Sequence, residues 1–162
     1  MSRLTETGIL IGPEGGKQIG LTFEGGRPTF SEGMDNLTMS SRTRYTIAQV
    51  NAGVEMLAGV VGYKYRLVDA AVIAVGGAAT TLTSIDISGT QSGSAAVLFS
   101  YAQANLTENT MLDRSTAGTT LLAAGASFVQ NDAGTGISIK TAGAAGTVVT
   151  HVDVVLTFTF GR

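Results

Sequence analysis

From Arg44 onward the chain repeats short runs in which apolar and polar residues alternate, each bounded by glycine, asparagine, aspartate or serine. A period of two is the signature of a strand with one buried face. The last run is the clearest. Val152, Val154, Leu156, Phe158 and Phe160 alternate with His151, Asp153, Val155, Thr157 and Thr159, so one face is predicted to be core. A second long strand is predicted over 64–75, with Tyr65, Leu67, Ala71, Ile73 and Val75 on one face and Lys64 and Arg66 on the other. Shorter candidates lie at 45–50, at 82–88 around Ile85 and Ile87, at 96–101 with Val97, Phe99 and Tyr101, and at 137–141 with Ile137 and Ile139. The stretches 76–77, 88–94, 131–136 and 142–146 are rich in residues that turn the chain cheaply and read as connections.

Only 51–58 is a helical candidate. Val54, Met56 and Leu57 lack a 3.6-residue period there, and Gly53 and Gly59 bracket the segment, so a single turn or a short strand is predicted. Short strands separated by regular turn signals predict an all-β chain, an antiparallel β-sandwich of jelly-roll-like type. Residues 1–42 differ: they hold eight glycines and both prolines, with short apolar pieces at 9–11 and 19–23. This predicts an extended N-terminal arm, or short hairpins, ahead of a sandwich domain over 43–162.

Composition narrows the function classes. At 162 residues one core is expected. Charged residues make up 14% of the chain, against about 25% in ordinary globular domains. A surface so short of charge leaves neutral Ala, Val and Thr patches that normally meet another protein, which predicts an oligomer. The net charge of −2, with ten scattered Lys and Arg, gives no footprint for nucleic acid. The N-terminal apolar run Ile9, Leu10, Ile11 is far shorter than a signal-sequence core, and no apolar stretch is long enough to span a membrane, so neither is predicted.

Candidate chemistry is sparse. A single His151 and no cysteine remove most hydrolase and zinc arrangements, and no cofactor or metal is predicted. His151 and Asp153 stand two apart on the polar face of the last strand, where a solvated strand face is expected in place of a catalytic pair. The segment 12–17 is similar to a phosphate-binding loop. However, Ile11 stands where the first glycine belongs, and Gln18 replaces the magnesium-holding hydroxyl. Asn131 and Asp132, with Gly134 and Gly136, form the nearest calcium-like loop; one carboxylate is few for a tight site, and an Asx turn is expected. Asn36-Leu37-Thr38 and Asn105-Leu106-Thr107 match the glycosylation sequon, a pattern frequent by chance, and neither is expected to be glycosylated. Phe99, Phe128, Phe158, Phe160 and Tyr65 are expected in core or interface, whereas Tyr45, Tyr63 and Tyr101 are left available, Tyr45 beside Arg42 and Arg44.

Two stretches, Arg44-Tyr45-Thr46-Ile47-Ala48-Gln49-Val50-Asn51-Ala52-Gly53 and Gly62-Tyr63-Lys64-Tyr65-Arg66-Leu67-Val68-Asp69-Ala70, carry a resemblance, together with 107–110, 136–143 and 150–156. Over residues 44 to 160 the chain resembles the jelly-roll-like domains of tailed-bacteriophage virion proteins, in particular capsid decoration (cement) and head-fibre proteins. The resemblance implies a non-enzymatic homotrimer on the outer surface of the virion head, made in the host cytoplasm and bound to the major capsid protein. In that setting Ile9, Leu10, Ile11, Leu21 and Phe23 are expected to anchor the arm. Two other roles compete with it: a tail-fibre or receptor-binding knob gripping a host-surface glycan, and a glycan-cleaving enzyme, for which Asp69, Asp86 and Asp153 are the carboxylates to examine.

Overall fold

The computed structural model describes residues 2–5, 8–11, 19–24, 27–30, 37–114, 119–121 and 129–161, with side chains described for 38–114 and 129–161. The chain divides into two compact units, one ending at Leu37 and one running from Thr38 to Phe160. The first unit is an antiparallel meander of four strands: β1 (Ser2–Thr5), β2 (Gly8–Ile11), β3 (Ile19–Glu24) and β4 (Arg27–Phe30), in that spatial order. Its register sets Leu4 opposite Ile9, Ile9 opposite Leu21, and Leu21 opposite Phe30. One apolar row therefore crosses all four strands.

The second unit is an all-β sandwich of two antiparallel sheets. After β5 (Leu37–Thr46), the short helix α1 (Ile47–Ala52) leads to β6 (Val54–Leu57), and then come β7 (Lys64–Val75), β8 (Ala79–Gln91) and β9 (Ser94–Ala102). The remaining strands are β10 (Met111–Leu112), β11 (Thr119–Leu121), β12 (Ile137–Val148) and β13 (His151–Gly161). One sheet has the order β10-β7-β13-β5; the other has β9-β8-β12-β6, with β11 added outside β9. Between them lies the core, including Leu67, Val72, Ile85, Ile87, Phe99, Tyr101, Ile137, Ile139 and Leu156.

β13 follows the alternation closely: Val152, Val154, Leu156, Phe158 and Phe160 are all buried. On β7 the prediction holds only halfway. Tyr65 and Leu67 are buried, but the phase slips by one residue across Val68 and Asp69, and Ala70, Val72 and Ala74 become the core residues in place of Ala71, Ile73 and Val75. On β9 a bulge has the same effect. Ile87 pairs with Phe99 and Ser88 with Val97, so Leu98 is the extra residue; it is buried, while Val97 is only half-buried.

The segment predicted as a strand over 45–50 is corrected at Thr46, where β5 ends in a capping box. The Thr46 hydroxyl accepts from the Gln49 N–H, and the Gln49 side chain accepts from the Thr46 N–H. These reciprocal bonds satisfy donors that a helix start leaves open, so the chain turns helical at Ile47. β12 also runs past its predicted end through 142–146, which had read as a turn. There β12 advances from Gly143 to Thr147 while β8 advances only from Leu82 to Thr80, and the surplus bulges outward. Gly143 takes φ +78°, a backbone that side chains resist, and sits against Thr83.

β6 pairs with β12 only over Ile137–Ile139, which would leave the rest of that edge bare. Helix α1 covers it. Asn51 Nδ2 donates to the Gly146 carbonyl at 3.2 Å, and Asn51 Oδ1 accepts from the Gly146 N–H at 2.8 Å and the Thr141 hydroxyl at 3.2 Å. One side chain thus substitutes for a missing strand. Asn51→Ala is expected to cost about 2–3 kcal/mol, since it opens several bonds, and Thr46→Ala only about 1 kcal/mol for the lost cap; denaturant unfolding of both variants checks the order.

Candidate interaction surface

At one end of the sandwich meet the loop 58–63, the tight turn 92–93 and the segment 129–136, along with the start of β5 and the end of β13. The segment 129–136 ties this end together. Asn131 N–H donates to the Tyr65 carbonyl, Gly134 N–H to the Tyr63 carbonyl and Asp132 N–H to the Thr90 carbonyl, at 2.7–2.9 Å. The Asp132 carboxylate accepts from the Ser92 and Gly93 N–H groups at 3.0 and 2.7 Å.

Asp132 therefore braces the protein itself through its carboxylate, by tertiary bonds in place of the local Asx turn expected, whereas Asn131 contributes its backbone N–H. The Asn131 side chain points inward, buried against Gly89, where a Cβ would lie 2.4 Å from its Oδ1. From this braced end project Val61, 92% exposed, with Val60 and Val129 also exposed. Val60 opens, and Val61 sits within, a turn closed by Tyr63 N–H to the Val60 carbonyl, while Tyr63 stacks on Phe160 at 4.7 Å between ring centroids.

The predicted solvated face of β13 is corrected at Asp153. Its carboxylate is buried because Arg44 and Arg42 of the neighbouring β5 lie across it. Arg44 donates through Nε at 2.6 Å and through its terminal nitrogen at 2.8 Å, a two-pronged pair, and Arg42 adds a contact at 3.4 Å. The Arg44 hydrogen bonds hold the Asp153 carboxyl below its ordinary range against the opposing effect of burial, and Asp153 holds the Arg44 guanidinium up in return. His151 takes no part: its Nδ1 lies 3.0 Å from the Thr150 hydroxyl.

The other carboxylates named from sequence are likewise engaged separately. Asp86 accepts from the Ser84 and Ser100 hydroxyls at 2.7 and 2.6 Å, and Asp69 lies 3.7 Å from Arg114 Nε. Arg114 also donates to the Val68 carbonyl and sits over the Phe99 ring, 5.4 Å from its centroid. Of the tyrosines left available, Tyr45 and Tyr101 are corrected to core. The Tyr101 hydroxyl donates to the Ala70 carbonyl of the facing sheet at 2.8 Å, and burial raises its pKa well beyond the ordinary phenol range. Tyr65 is core as expected and donates to the Ala58 carbonyl at 3.0 Å.

Ile9, Leu10 and Ile11 lie in β2, and Leu21 and Phe23 in β3; their side chains are outside the described residues. By register Ile9, Ile11, Leu21 and Phe23 occupy one face of the four-stranded sheet and Leu10 the other. The loop 12–17 and Phe128 also fall outside the described residues. Among the described residues no cluster of three or more potential metal-binding side chains occurs.

Comparison with known proteins returns no matching family model, no matching curated protein and no matching solved structure.

Because Asp153 has a lower pKa folded than unfolded, its contribution to stability is fully present above the unfolded value and is lost as pH falls through the folded one. Asp153→Asn is expected to cost about 1–2 kcal/mol at neutral pH. The gap from the parent should narrow as the solution is acidified below the ordinary carboxylate range, which urea unfolding at several pH values measures.

Proposed function

We propose that this chain is a structural virion protein, a capsid decoration or cement protein that binds the outside of a tailed-phage head and stabilises it. Its partner in this reading is the major capsid protein, its working form a homotrimer, and it performs no covalent chemistry. The observation that carries the reading is the pairing of a charge-poor sandwich, 14% charged overall, with a separate small sheet whose register collects Leu4, Ile9, Ile11, Ile19, Leu21, Phe23 and Phe30 on one face. An open four-stranded sheet needs a second layer over such a face. The resemblance across residues 44–160 supplies the kind of partner.

The mechanism is avidity. Three weak sheet contacts joined through one oligomer bind a single capsid position far more tightly than one contact does, by about 10²–10⁴-fold where geometry lets all three engage. A ligand that binds only the assembled shell stabilises that shell by mass action. Ile9 and Leu21 are direct cross-strand neighbours, so replacing both with Asp breaks the apolar row at its middle. In the full chain, Ile9→Asp with Leu21→Asp is expected to lower co-sedimentation with purified phage heads by at least about 10²-fold. The thermal transition of the sandwich should stay in place. Undiminished binding by this variant would refute the reading.

A second reading rests on the braced loop end: loops held rigidly on a sandwich are a common platform for recognition. In that case the chain is a tail-fibre or receptor-binding knob for a host-surface glycan. Antibody labelling of virions on the tail, with binding on a glycan array, would favour it over the head.

A further inference from the structure

Four strands form the outer edges of the two sheets, and they differ sharply in length. β10 has 2 residues, β11 has 3 and β6 has 4, whereas β5 has 10. Very short edge strands are one of the ways proteins avoid pairing with other chains. Of the longer strands behind them, β7 and β12 are further covered, while β9 meets β11 only over Phe99–Tyr101. The Tyr65 carbonyl of β7 and the Tyr63 carbonyl just before it are taken by the segment 129–136 and the Val68 carbonyl by Arg114, while on β12 Asn51 takes both backbone groups of Gly146. Among the described residues β5 has no such cover, and no backbone group of 38–45 is bonded on the side away from β13.

Charge does not guard this edge either. Arg42 and Arg44 are turned back onto their own sheet by Asp153. On the core side, Met39 and Ser41 are only half-buried and Thr43 is exposed. A further strand beyond β5 would satisfy its backbone and cover these positions.

We propose that β5 pairs edge to edge with β5 of a second copy of this chain, antiparallel about a two-fold axis through Ser41. A second copy is the occupant because β5 is the longest open edge among the described strands, the outer side of 94–98 on β9 being shorter, so the edge that matches it in length is its own. The register follows from charge. Centring on Arg42 would set two guanidiniums directly opposite each other, which is unfavourable. Centring on Ser41 sets Arg42 opposite Ser40, Arg44 opposite Thr38 and Met39 opposite Thr43, keeping like charges apart and like faces together. The contact is isologous and doubles whatever ring the chain otherwise forms: a monomer becomes a dimer, a trimer a hexamer. It stands independently of the capsid reading.

The chain has no cysteine, so a single introduced thiol reports cleanly. In the full-length protein, Ser41→Cys should form a disulfide-linked dimer under mild oxidation, because residues directly opposite in an antiparallel pair stand about 4.5–5.5 Å apart. Thr43→Cys should not, since each Thr43 faces Met39. Ser40→Lys, on the exposed face opposite Arg42, should weaken the association about tenfold in sedimentation equilibrium, with an unchanged melting profile showing that it folds. Absence of a covalent dimer at position 41 overturns the proposal, as does equal cross-linking at 41 and 43, or an odd-numbered assembly unaffected by Ser40→Lys. Head binding is scored on the same variants, so loss of pairing with retained head binding separates this failure from that of the proposed function.

Discussion

The backbone groups at the rim of a β-sheet have to find partners, and much of this molecule is arranged around that constraint. The helix α1 is only six residues long, too short to be stable by itself. Its position is explained by what Asn51 does from its C-terminal end, satisfying the β12 edge where β6 has run out. The segment 129–136 performs the same service for β7 from the other end of the molecule, and in doing so braces the loops that display Val60, Val61 and Val129. Against this background the far side of β5, unbonded among the described residues, is the edge we propose a second copy occupies.

The interior explains how β5 is held in place. β13 lies between β7 and β5 and presents five apolar side chains inward, so it is the strand against which the others align. On its outer side Asp153 is clasped by Arg44 and Arg42, which fixes β5 laterally through a charged, two-pronged contact. Because the guanidiniums reach the solvent, the pair avoids much of the desolvation cost of a fully buried one. The same contact keeps the arginines from acting as edge-blocking charges. A single carboxylate thus anchors the strand and leaves its far side available.

The sequence was most legible where only one set of alternate positions was apolar, as on β13. On β7 both sets are apolar after Asp69, Ala70-Val72-Ala74 and Ala71-Ile73-Val75, and the pattern alone has no means of detecting a one-residue slip. The helix was signalled by Thr46 and Gln49, three residues apart, but its β-branched neighbours read as strand. Asp153 looked solvent-facing because the arginines that bury it lie more than a hundred positions away. The Gly-rich stretch 142–146 looked like a turn since glycine serves turns and bulges equally well. The brace role of Asp132 was approached as an Asx turn, while its two bonds to the 92–93 turn depend on a tertiary approach that local spacing does not encode.

Amide hydrogen exchange of the full chain as a function of protein concentration tests the central claim most directly. Half of the amides across 38–45 point away from β13; they should be protected in concentrated solution and exchange freely on dilution, while the amides of β13 stay protected throughout. Free exchange of the outward β5 amides at every concentration would contradict the account.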